Sequence, residues 1–195
     1  MPLLYLVRHG RIAEHASDDA DPELGPKGHE QAQTVARELQ LRLPRPLPIL
    51  SSPLLRCLQT AQPLAAIWDV EMRIEPRVIE VPSPRAPGLK RRDWLDGALH
   101  WTWAQARADG ERLEPGYAAA LDAWRARLRE AVLEQGEDAV IFMHYVPINA
   151  LAGFAGDDER ITVFQPDNAS VTVIETDGSS IKLLERGRER GTRVV

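Results

Sequence analysis

The chain has 195 residues, of which 44% are hydrophobic and 27% charged, a composition typical of a globular protein that buries its core in one domain. Its formal net charge of −5 disfavours broad binding to nucleic acid, and no segment approaches the roughly 20 apolar residues of a membrane span. The single Cys57 excludes an internal disulfide and a cysteine-based zinc site. With no export signal visible, we expect a cytoplasmic protein.

The first predicted element is a short buried strand at residues 3–7, followed at once by Arg8-His9-Gly10. Ligands bind at the carboxyl ends of strands in open α/β sheets. There, an arginine donates to phosphate or carboxylate oxygens, and a histidine acts as a nucleophile or proton carrier. On these three residues alone, a capped strand end with a surface arginine and a structural histidine is an equally good interpretation.

The rest of the chain alternates between helical and strand patterns. Residues 11–23 show no periodicity and predict a loop. Proline positions and apolar spacing then predict helices at 26–43, 54–68, 90–108, 116–134 and 146–154, and strands at 47–50, 70–74, 138–143, 161–164, 170–175 and 180–185. The last two strands are joined by Asp177-Gly178, a good hairpin turn.

This alternation predicts a three-layer α/β/α sandwich with a mostly parallel central sheet, in a single domain over residues 1–195. Prolines at positions 76, 82, 84 and 87 interrupt the pattern, and we interpret residues 76–136 as a helical lid or insertion. A basic cluster, Arg85 with Lys90, Arg91 and Arg92, falls in this region. Our hypothesis is that it covers a pocket and holds a second anionic group, the alternative being ion pairs with Asp93 or Asp96.

Polar residues follow three of the predicted strands: Arg8-His9, Ser51-Ser52 with Arg56 shortly after, and His144-Tyr145. Because parallel strands end at one edge, we expect two arginines and two histidines to meet there, beside the positive end of the helix after Pro53. Such a group favours a phosphoryl dianion. Taken singly, His144 could instead bind a core carbonyl and Arg56 could be solvated.

The ordered motifs resemble those of the histidine phosphatase superfamily, whose fold is phosphoglycerate-mutase-like. Arg8-His9-Gly10 is similar to its signature after the first strand. The later matches are the helix start at 24–32, the second-arginine segment at 51–61, His144 at a strand end, and Asn168-Ala169-Ser170 at the start of a late strand.

The resemblance implies a role for each matching residue. His9 would be the nucleophile that accepts the phosphoryl group, and Arg8, Arg56 and His144 would bind its oxygens. Glu80 would be the general acid, Glu75 being the other carboxylate in that segment. The substrate-binding set would also include the neighbouring residues Gly10, Arg11 and Tyr145. No metal or cofactor is expected.

Two positions depart from the family pattern: Tyr145 stands where glycine is usual, and Arg11 stands where glutamate or glutamine is common. The leading interpretation is hydrolysis of a small-molecule phosphomonoester through a phosphohistidine, with no nucleic-acid or membrane partner. The alternatives are a phosphoglycerate-mutase-type phosphotransferase and a catalytically weak phosphate-binding module. Mutases of the family tend to be longer, which favours the hydrolase.

Overall fold

The computed structural model describes residues 1–13 and 21–189, so part of the loop predicted at 11–23 lies outside the described residues. The described chain contains six strands, β1 Leu3–Arg8, β2 Ile49–Ser51, β3 Met72–Ile74, β4 Ala139–Met143, β5 Val171–Thr176 and β6 Ile181–Glu185. It contains six α-helices, α1 Pro26–Arg42, α2 Leu55–Trp68, α3 Arg91–Ala98, α4 Trp103–Leu113, α5 Tyr117–Leu133 and α6 Tyr145–Gly156.

The strands form one sheet in the order β3-β2-β4-β1-β5-β6. Strands β1 to β4 are parallel, whereas β5 runs antiparallel to β1 and β6 antiparallel to β5. The predicted mostly parallel sheet is therefore confirmed. The Asp177-Gly178 hairpin between β5 and β6 also forms as expected.

Helices cover both faces of the sheet, which confirms the three-layer sandwich. On one face Tyr5 and Val7 of β1 pack in a cluster with residues of α1 and α2. On the other face Leu4 and Leu6 pack in a cluster with the apolar stripe of α5 and with α6. Strand β1 is apolar on both faces because both are buried.

The helix predicted at 90–108 is wrong, since two helices, α3 and α4, occupy this stretch. Thr102 begins α4 with a capping box, in which its hydroxyl accepts from the Gln105 N–H and the Gln105 side chain accepts from the Thr102 N–H. This reciprocal cap stabilises a helix start at Thr102. The chain therefore turns between Ala98 and Thr102.

The strand predicted at 161–164 is also wrong, because these residues form a loop. Buried Asn149 of α6 holds the loop: its side-chain oxygen accepts the backbone N–H groups of Val163 and Phe164 at 2.8 and 3.0 Å. These two donors thus bond to a side chain and are not available to a sheet ladder. Among the described residues, no helix is long and apolar enough to cross a membrane.

Candidate active site

The carboxyl ends of β1, β2 and β4 lie at one edge of the sheet, as their parallel pairing requires. His9 follows β1 and His144 follows β4, and their ring centroids lie 5.3 Å apart. The His9 N–H donates to the Met143 carbonyl at 3.0 Å, and the Ser52 N–H donates to the Phe142 carbonyl at 2.9 Å. The three strand ends are thereby fixed to one another.

One ring nitrogen of His9 is bound to the backbone. Its Nδ1 lies 2.8 Å from the Gly10 carbonyl oxygen. A carbonyl only accepts, so Nδ1 carries the proton and Nε2 is left with the lone pair. Burial lowers the pKa of His9 well below its usual value, and the positive charges of Arg8 and Arg56 lower it further. His9 is therefore a neutral imidazole whose Nε2 carries the lone pair.

The backbone that carries His9 is held from two sides. The Thr60 hydroxyl of α2 accepts from the Gly10 N–H at 3.0 Å and donates to the Arg56 carbonyl at 2.6 Å. The Asn168 side-chain amide donates to the His9 carbonyl at 3.0 Å. Sequence reasoning missed the role of Thr60, although Thr60 lies within the motif at 51–61 that carried the resemblance.

Gly10 and Gly28 meet where the loop after β1 crosses the first turn of α1. A Cβ atom on Gly10 would lie 2.7 Å from the Gly28 carbonyl oxygen, and a Cβ on Gly28 would overlap the Arg11 carbonyl oxygen. Gln31 then accepts the Arg11 N–H at 2.9 Å. The helix-start motif at 24–32 thus sets the position of the loop that follows β1.

We expect Gly28→Ala to lower the free energy of unfolding by about 1–3 kcal/mol, because its methyl group forces the two backbones apart. Alanine normally stabilises a helix relative to glycine by about 1 kcal/mol, so the sign is reversed at this position. The matched control is Gly156→Ala in α6, where a Cβ meets nothing within 4 Å. Urea denaturation of both variants measures the difference, and equal stability of the two would contradict this account.

Arg8 is oriented by the α6 side of the site. One of its terminal nitrogens donates to the Pro166 carbonyl at 2.8 Å, and its guanidinium carbon lies 5.0 Å from the centroid of the Tyr145 ring. The Tyr145 hydroxyl donates to the Phe164 carbonyl at 3.4 Å. The large ring at the position where family members usually have glycine therefore packs on Arg8 as a cation–π partner.

Arg56 is buried, and its Nη1 has no hydrogen-bond acceptor among the described residues. This nitrogen lies 3.7 Å from a carboxylate oxygen of the more exposed Asp21. A buried guanidinium nitrogen without an acceptor is costly, and an anion in the adjoining cavity would satisfy it.

Glu80 follows the short 3₁₀ turn Pro76–Val78 and lines the same cavity as His9. Its carboxylate accepts the Val81 N–H at 3.0 Å. Burial raises the pKa of Glu80, while the nearby charge of Arg91 opposes the rise. A raised pKa keeps the proton on a carboxylic acid closer to neutral pH, which suits a proton donor.

Glu75, the other carboxylate of this segment, is bound elsewhere. Both of its oxygens accept from the Arg77 guanidinium at 2.8 Å, and these bonds lower the pKa of Glu75. Glu75 does not line the cavity.

His144 lies behind His9, fully buried and outside the cavity lining. Its Nε2 is 2.8 Å from the Ser52 hydroxyl, and the Cys57 sulfur lies 3.5 Å from the same nitrogen. Burial lowers the pKa of His144 well below its usual value, so this residue is neutral. For its Nε2 to bind phosphoryl oxygens, as predicted, this nitrogen would have to give up the Ser52 hydroxyl as its partner.

The cavity has a volume of about 1240 Å³. Of the predicted site residues, it is lined by Arg8, His9, Arg11, Arg56, Glu80 and Tyr145. Three members of the basic cluster, Lys90, Arg91 and Arg92, also line it. Arg85 does not: it lies on a separate shallow pocket, and its N–H donates to Glu114.

A family model for the histidine phosphatase superfamily (branch 1) matches residues 4–188. The chain belongs to this superfamily, and the protein is accordingly an enzyme of the histidine phosphatase type. An uncharacterized protein from Picosynechococcus sp. is 35% identical over 125 residues, covering 62% of this chain and 69% of that protein.

Solved structures share the fold over almost the whole chain. Phosphoserine phosphatase from Entamoeba histolytica, in complex with 3-phosphoglyceric acid, has a TM-score of 0.71 at 23% identity, covering 97% of this chain and 98% of that one. A mycobacterial glucosyl-3-phosphoglycerate phosphatase has a TM-score of 0.69 at 23% identity, covering 97% and 100%. Phosphoglycerate mutase from Thermus thermophilus has a TM-score of 0.63 at 22% identity, covering 96% and 99%.

Proposed function

We propose that the protein hydrolyses a small-molecule phosphomonoester through a phosphohistidine on His9. The observation that carries this proposal is the bond between His9 Nδ1 and the Gly10 carbonyl, which leaves a neutral Nε2 for attack. Arg8 and Arg56 flank that nitrogen's cavity with positive charge, and Glu80 supplies a carboxylic acid on the same lining.

The reaction has two transfers. Nε2 of His9 forms a bond to phosphorus while the bond to the ester oxygen breaks, and Glu80 gives its proton to the leaving alkoxide. The ionised Glu80 then takes a proton from a water molecule, whose oxygen displaces His9 from phosphorus. In both steps Arg8 and Arg56 stabilise the charge that develops on the phosphoryl oxygens.

The test is turnover of a panel of phosphomonoesters, with release of inorganic phosphate as the measurement. If the protein is a hydrolase, each ester supplied alone should release phosphate, without any added bisphosphorylated compound. A mutase would require such a primer and return a phosphorylated isomer. A binding module would bind the esters without releasing phosphate, and either result would overturn the proposal.

The proposal gives Arg91 a specific electrostatic role. Its guanidinium donates to the Val81 carbonyl at 2.8 Å, beside Glu80, and its charge lowers the pKa of Glu80. Arg91→Gln should therefore raise that pKa and move the alkaline limb of kcat to higher pH for an alkyl phosphate. Arg92→Gln is the control, because Arg92 is exposed and its side chain lies 3.9 Å from Asp96. If the alkaline limb of kcat stays at the same pH in both variants, Arg91 does not affect the pKa of Glu80.

A further inference from the structure

The wall of the cavity also includes one face of helix α3. Arg91 and Leu95 of α3 and its C-cap residue Leu99, whose backbone is still helical, all line the cavity and are spaced four residues apart, so they lie on one face. At a rise of 1.5 Å per residue, this face spans roughly 12 Å from Arg91 to Leu99. The cavity is therefore longer than a phosphoryl group requires.

The two ends of this face differ in chemistry. Arg91 lies at the reaction centre, since its guanidinium bonds to the Val81 carbonyl next to Glu80. Beyond Arg91 the lining includes an apolar strip of Leu95, Leu99 and Trp101, which also pack against the main core cluster, with the polar Asp96 and His100 beside it. Along this face the cavity lining changes from a charged to an apolar side chain, so its two ends favour different parts of a ligand.

Trp101 is positioned by two backbone hydrogen bonds and one ring contact. Its backbone N–H donates to the Ala98 carbonyl at 3.0 Å, and its backbone carbonyl accepts the Ile161 N–H at 2.9 Å. Its indole makes an edge-to-face contact with Trp94, with ring centroids 6.3 Å apart. A fixed aromatic ring on the wall of a cavity binds a flat group at low entropic cost.

The size of the cavity supports an occupant larger than a three-carbon phosphorylated acid. Sites for drug-sized ligands are typically about 300–1,000 Å³ and mainly apolar, with a few polar groups that fix orientation. This cavity, at about 1240 Å³, is at least that large. A small substrate would leave the apolar end facing water.

Resting on the function proposed above, we propose that the substrate is a phosphomonoester of an elongated alcohol. Its polar part lies next to the phosphoryl group, near Arg91. A flat aromatic group at its far end packs against Leu95, Leu99 and Trp101.

Two synthetic substrates test this. n-Butyl phosphate and 4-phenylbutyl phosphate have alkoxide leaving groups of closely similar basicity, but only the second reaches the far end. We expect kcat/KM to be about tenfold or more higher for 4-phenylbutyl phosphate, the scale of discrimination by an apolar pocket. Equal values for the two esters would overturn the inference while leaving the phosphatase proposal intact.

The location is tested by Leu99→Gln and, separately, Trp101→Leu. Each should reduce the ratio of the two kcat/KM values several-fold, whereas general damage to the fold would lower both values and leave their ratio unchanged. Ile67→Gln is the matched control, because Ile67 is an exposed residue of α2 that does not line the cavity. An unchanged ratio in both cavity variants would place the aromatic group elsewhere and overturn the inference.

A binding measurement tests the aromatic subsite independently of the proposed phosphatase activity. Calorimetric titration of the His9→Ala variant gives the Kd of each ester without turnover. Tighter binding of 4-phenylbutyl phosphate supports the subsite even if the wild-type enzyme released no phosphate, a result that would count against the proposed function alone. Equal Kd values would count against the subsite.

Discussion

Replacement of His9 by alanine is expected to lower kcat on the order of 10⁴- to 10⁶-fold, the range found when a catalytic residue of a covalent mechanism is removed. In the proposed mechanism Nε2 of His9 forms the phosphohistidine, and the other histidine at this edge of the sheet, His144, does not line the cavity. His144 is fully buried and bound to Ser52. Steady-state phosphate release measures the loss.

The fold should survive this substitution. The His9 side chain bonds to the adjacent Gly10 carbonyl, whereas its backbone is held by Met143, Asn168 and Ala169. His29→Ala is the matched control, since His29 is exposed on α1. Circular dichroism and the melting temperature should change little in either variant. Substantial turnover by His9→Ala would rule out the proposed nucleophile.

The intermediate itself offers a second measurement on the same residue. Wild-type enzyme denatured in alkali during turnover of a ³²P-labelled ester should carry label that acid releases, as expected for phosphorus bonded to nitrogen. The label should be absent from His9→Ala and present in His29→Ala. Acid-stable label, as on a serine, would contradict the mechanism.

Glu80→Gln should reduce kcat for alkyl phosphates by about 10²–10⁴-fold, the usual contribution of a general acid. Aryl phosphates with good leaving groups should lose much less, because their phenolate departs without a proton. Wild-type kcat for an alkyl ester should also fall as pH rises through the raised pKa of Glu80, since the proton that the alkoxide needs is then lost. This limb should vanish in Glu80→Gln.

Glu75→Gln provides the comparison within the same segment. Glu75 is paired with Arg77, so its replacement should lower stability and leave the ratio of alkyl to aryl turnover unchanged. Equal losses on both classes of ester in Glu80→Gln would remove Glu80 as the acid. A selective loss in Glu75→Gln would transfer the role to Glu75.

The local sequence was enough to predict those strands and helices in which buried residues recur at a regular spacing. Strand β1 was predictable because its consecutive residues from Leu4 to Val7 are apolar or aromatic, as in a strand that is buried on both faces. Helix α5 was predictable because its buried residues recur at helical spacing. Parallel strands must end at one edge, so the approach of Arg8, His9 and Arg56 also followed from the sequence. The start of α4 was missed, although Thr102 and Gln105 have the spacing of a capping box that could have indicated it.

Only the tertiary structure decided how the loops are held, because those bonds join residues that are distant in the sequence. Asn149 prevents a strand at 161–164 by accepting two backbone N–H groups, and Thr60 fixes Gly10 across fifty positions. The placement of His144 behind His9 likewise depends on Ser52 in another strand end. Periodicity reports which side of an element is buried, but a hydrogen bond between two loops forms only where the packed layers bring donor and acceptor together.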